Sequence, residues 1–97
     1  MILLVGGRDG RLVALSWEAW NHVRTEHFDL VDSLGDVLLT IEDPIYREAD
    51  PVPGRERLFR RGGPDGWIRV VVEFAGDFDH VVTAFPQTAD PRPGGRR

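Results

Sequence analysis

Ninety-seven residues with no cysteine and a net charge of -4 bound the chain to one domain, held together without disulfides or cysteine-ligated zinc. The apolar start Met1-Ile2-Leu3-Leu4-Val5 stops at Gly6-Gly7 without a basic leader, so the expectation is no signal peptide, no membrane span and a reducing cytoplasm. All twelve basic residues are arginine; residues 1–50 hold four of them against ten acids, and residues 51–97 hold eight against six. Any contact with a polyanion therefore belongs to the second half of the chain.

In chain order, Ile2 to Val5 and Arg11 to Leu15 are short apolar runs around Gly6-Gly7-Arg8-Asp9-Gly10, the pattern of a β-hairpin. Ser16 is placed to cap a helix running to about His27, with Glu18 in its first turn. A second helix, from near Asp29 or Asp32, carries the stripe Leu30, Leu34, Val37, Leu38 and Ile41. Gly35 weakens that helix by roughly 1 kcal/mol relative to alanine, and Pro44 ends it.

Strands follow. Ile45 to Ala49 forms a short one, Pro51-Val52-Pro53-Gly54 a loop, and Arg55 to Arg61 a strand with arginine and apolar residues interleaved. Trp67 to Ala75 alternates Ile68, Val70, Val72 and Phe74 on one face with Trp67, Arg69, Val71 and Glu73 on the other, as in a half-buried antiparallel sheet. His80 to Phe85 closes the meander. From Pro86 the chain is rich in breakers, so a single domain over residues 1–86 and a disordered Pro/Gly/Arg tail over 87–97 are expected. The fold class is α+β: an N-terminal hairpin and two helices packed on a three- or four-stranded antiparallel sheet.

Two of the three histidines, His22 and His27, lie five residues apart on the first helix. Histidine transfers protons near neutral pH, and His27 reads either as a boundary histidine whose positive form suits the helix end or as a general acid or base. His22 lies between Glu18 and Glu26 on a solvated face, and a metal at His22 and Glu26 would lack a third ligand. The guanidiniums of Arg55, Arg57, Arg60, Arg61 and Arg69 suit bidentate phosphate binding, although a charged edge strand carries the same residues. Arg57 and Arg69 face the same way across neighbouring strands. Thr83 is a hydroxyl in a strand otherwise made of Val81, Val82, Ala84 and Phe85. Phosphate-loop, dinucleotide, zinc and serine-nucleophile patterns are absent.

Four segments in order carry a resemblance: Trp20-Asn21-His22-Val23-Arg24-Thr25-Glu26-His27, Thr40-Ile41-Glu42-Asp43-Pro44, Arg57-Leu58-Phe59-Arg60-Arg61 and Val81-Val82-Thr83-Ala84-Phe85. They resemble the phage and prokaryotic branch of the barnase–EndoU–colicin–RelE-like nuclease superfamily over residues 17–86. Phe28-Asp29 stands where a Pro-Glu is common in that branch, and Phe59 and Phe85 stand where tyrosines are common. The resemblance implies a barnase/RelE-like sheet with an RNase site on its open face and no cofactor or metal. It assigns proton transfer to His27 and His22, phosphate binding to Arg57, Arg60 or Arg69, and phosphate positioning to Thr83. RNA as substrate and a cognate antitoxin as partner follow from it. The other readings are a non-catalytic RNA- or protein-binding module of the same fold and an antitoxin- or immunity-like protein.

Overall fold

The computed structural model describes residues 2–7 and 9–94. Strands β1 (Ile2–Gly6) and β2 (Leu12–Ser16) form the expected hairpin, antiparallel from Ile2 opposite Ser16 to Gly6 opposite Leu12. Helix α1 (Trp17–Glu26) starts directly after β2, and the Ser16 side chain accepts from the Ala19 N–H at 3.0 Å, satisfying one of the helix's free donors. A 3₁₀ turn (Phe28–Leu30) follows, and α2 (Leu34–Glu42) begins later than the apolar stripe suggests. Leu30 is nonetheless fully buried from within that turn, so the stripe reports burial rather than a continuous helix.

Four further strands complete the chain: β3 (Tyr46–Ala49), β4 (Arg55–Arg61), β5 (Trp67–Glu73) and β6 (Asp79–Gln87). They do not form a separate three- or four-stranded antiparallel sheet. All six strands make one mixed sheet in the order β1-β2-β6-β5-β4-β3, in which β2 and β6 run parallel, with Val13 opposite Asp79 and Ala14 opposite His80. The expected fold class is corrected on both strand number and strand direction. The physical reason lies in β2, whose Val13, Ala14 and Leu15 are all buried. A lone hairpin cannot cover both faces and both edges of such a run, which is the pattern of an interior strand. Arg11 pins the junction: its Nε and Nη2 donate to the Asp79 carboxylate at 2.7–3.1 Å, and Asp79 is only 3% exposed.

Both helices cover one face of the sheet. The core there joins Val13 and Leu15 of β2, Leu58 of β4, Ile68, Val70 and Val72 of β5, and Val81 and Ala84 of β6 to Trp20, Val23, Leu30, Val37 and Ile41. A bulge in β6 shifts the register between Val71 and Val72, so that Val71 lies opposite Thr83 and Val72 opposite Val81. The extra residue, Val82, lets Val81 and Ala84 both face the helices while His80, Thr83 and Phe85 face the other way. No helix among the described residues is long and apolar enough to cross a membrane.

Candidate functional site

The face away from the helices is organised in rows set by strand register. One row runs Tyr46, Phe59, Arg69, Phe85; the next runs Glu48, Arg57, Val71, Thr83; and on the other side Arg61, Trp67 and Gln87 lie in line. Beyond Phe85 the row ends at His27, whose ring centroid is 5.6 Å from that of Phe85. This placement follows from the topology. Strand β2 pairs with β6 only at Asp79 and His80, and α1, entered from β2, lies against β6.

Arg69 is the centre of the row. Its Cζ lies 5.2 Å from the Phe59 centroid and 4.8 Å from that of Phe85, a guanidinium held between two π faces. Its Nε donates to Gln87 Oε1 at 3.0 Å. Among the described residues no carboxylate comes within ion-pair distance of it. Burial, and then repulsion from Arg57, hold its pKa below the ordinary guanidinium value; burial penalises the charged form, while an opposing anion favours it. Arg69 is thus a half-buried guanidinium on the sheet face, on which Glu48 and Asp50 act only from beyond ion-pair distance.

The other predicted cations are placed differently. Arg57 shares the open face, but its Nε donates to Asp50 Oδ1 at 2.9 Å and its Nη1 to Glu48 Oε2 at 3.1 Å. The hydrogen bond to Asp50 is the main cause of its raised pKa, and the same contact, first among several, lowers that of Asp50. Its charge is spent within the fold. Arg60 lies opposite Ile68, on the helix side of β4, and its Nη1 donates to the Asp43 carbonyl at 2.7 Å. It is therefore not brought to the row. His22 is exposed on α1, and no hydrogen bond, ion pair or ring contact joins it to the row. The structure thus brings Arg69, Arg57, Thr83 and His27 to one face and leaves Arg60 and His22 outside it.

Three participants escape a reading of the sequence. Phe59 and Phe85 read there only as absent tyrosine hydroxyls, yet their rings enclose Arg69. Gln87 falls in the segment expected to be a tail. Period two in β4 is the one signal available, since it puts Phe59 on the face of Arg57. Trp67 is 2% exposed although it faces away from the helices, because Arg61 and Arg92 cover it at 4.7 and 5.4 Å. Among the described residues no three His, Asp or Glu side chains are grouped as a metal site. No protein-family model, curated protein or solved structure matches the chain.

Proposed function

We propose that this chain is an endoribonuclease that cleaves RNA without a metal, of toxin type or phage-derived, acting in the cytoplasm. The observation that carries the reading is Arg69. Of the three arginines proposed to bind phosphate, it alone has no carboxylate partner among the described residues, and it shares with His27 a contact to the Phe85 ring.

In the proposed reaction the 2′-oxygen attacks the adjacent phosphorus and the bond to the 5′-oxygen breaks, leaving a 2′,3′-cyclic phosphate and a 5′-hydroxyl. His27 takes the 2′-proton, and water supplies one to the departing 5′-oxygen. Arg69 carries the charge that develops on the phosphorane, and Thr83, in the adjoining row, donates to a non-bridging oxygen. Phe85 and Tyr46, both half-buried, offer apolar surface on which unstacked bases rest, as is usual for single-stranded RNA. A toxin of this kind needs a cognate antitoxin, which would cover the Arg69 face.

A second reading, a non-catalytic RNA-binding module, is favoured by the neutralisation of Arg57 by Asp50 and Glu48, which leaves few free cations on the face. Incubating the purified protein with total RNA in EDTA separates the two. Cleavage to cyclic-phosphate ends that His27→Ala reduces a hundredfold or more supports the enzyme. RNA binding without cleavage by either protein supports the module.

A further inference from the structure

The segment after Phe85 is tied to the site rather than hanging from it. Gln87 is the last residue of β6, opposite Trp67. Its Oε1 accepts from Arg69 Nε at 3.0 Å, while its Nε2 donates to the Ala89 carbonyl at 2.7 Å. Each end of the carboxamide thus meets a partner that fits only one orientation: a guanidinium can only donate and a carbonyl can only accept. Ala89 is held in turn. Arg92 grips the Asp90 carboxylate through Nε at 3.0 Å and Nη2 at 2.6 Å, and its guanidinium lies over the buried Trp67 ring.

We propose that Gln87 is a positioning residue for the Arg69 anion site, its carboxamide fixing the guanidinium between Phe59 and Phe85 with Nη1 and Nη2 left for an oxyanion. This rests on the reading of Arg69 given above. The chemistry of the side chain explains the choice. A carboxylate at position 87 would orient the guanidinium as well but cancel its charge, whereas an uncharged carboxamide orients it and leaves the charge for a phosphate. With Nε occupied and both faces covered by rings, the Nη edge is the part of Arg69 with no acceptor among the described residues. The residues from Gln87 to Arg92 are therefore part of the site.

The test compares wild type, Gln87→Ala, Gln87→Leu, Gln87→Glu and Arg69→Ala. Two readouts are used: the Arg69 Nε–H signal in ¹H–¹⁵N NMR, and affinity for inorganic phosphate and for a short single-stranded RNA. Gln87→Leu keeps the apolar bulk of the side chain, so that a loss shared with Gln87→Ala reports the lost amide. Both should lose the protected Nε–H signal and bind about fivefold more weakly, the worth of one hydrogen bond. Gln87→Glu should keep the signal yet bind phosphate most weakly of the Gln87 variants. Weakened binding by Arg69→Ala together with unchanged signal and affinity in Gln87→Ala and Gln87→Leu would overturn the positioning role alone. Unchanged binding by Arg69→Ala would overturn the anion site and the role together.

Discussion

Arg69 lies against Phe85 with its Cζ 4.8 Å from the ring centroid, and the centroid of the His27 ring is 5.6 Å from that of the same phenyl ring. A guanidinium and an imidazole thus both contact one phenyl ring. In the proposed reaction the cation holds charge while the imidazole moves a proton.

His27→Gln should separate chemistry from binding. If the imidazole transfers a proton, turnover falls by about 10²- to 10⁴-fold while RNA affinity changes little, because charge at Arg69 is untouched. Single-turnover kinetics alongside fluorescence titration measure the two separately. An equal loss in both would place His27 in binding instead.

Releasing Arg57 should strengthen RNA binding. Its partners Asp50 and Glu48 lie 2.9 Å from Nε and 3.1 Å from Nη1, and Asp50→Asn combined with Glu48→Gln removes both charges that neutralise this guanidinium on the face of Arg69. The expected result is tighter binding with a salt dependence steeper by about one phosphate contact. Arg60→Ala, on the helix side, should leave that slope unchanged.

Gly63→Ala should destabilise the fold well beyond Gly54→Ala. Both glycines hold positive φ, +71° and +81°, but a Cβ at Gly63 would meet Ile68 Cγ1 at 2.9 Å, whereas at Gly54 nothing lies within 4 Å. Left-handed strain alone costs about 1 kcal/mol at Gly54; overpacking raises the cost at Gly63 to about 2–3 kcal/mol. Urea unfolding of both variants checks the difference.

The tail clasp should depend on acid pH in one direction. The side chain of Arg92, and then its backbone N–H, hold the Asp90 carboxyl down at about 2, from an ordinary 3.8. A depressed carboxyl stabilises the closed segment above its ordinary value and loses that effect as pH falls through its folded value. NMR signals of residues 88–94 should therefore be unchanged down to pH 3.8 and lose order towards pH 2. Asp90→Asn should resemble the low-pH state throughout.

Local patterns carried much of the architecture. Ser16 announces α1 through its cap on Ala19, and alternation from Trp67 to Glu73 announces β5. What escaped is non-local. Pairing of β2 with β6 joins residues 66 apart, Val13 and Asp79, and its clue, the unbroken buried run Val13-Ala14-Leu15, is short enough to pass for a hairpin arm. The bulge at Val82 is equally invisible, yet it sets which β6 side chains share the face of Arg69. Arg57, Arg60 and Arg69 look alike in the sequence. Asp50, Asp43 and the two phenylalanines distinguish them, and those neighbours come from register and topology rather than from spacing.

The most direct measurement is the cleavage rate of one labelled RNA, in EDTA and at saturating protein, by wild type, Arg69→Ala and Arg69→Lys. Loss of about 2.7–4 kcal/mol of transition-state stabilisation, as for removal of one oxyanion-hole donor, corresponds to a 10²- to 10³-fold slower rate for Arg69→Ala. Arg69→Lys should recover only part of it, since an ammonium keeps the charge but not the planar fork. A rate for Arg69→Ala equal to wild type, or no cleavage by wild type at all, would contradict the account.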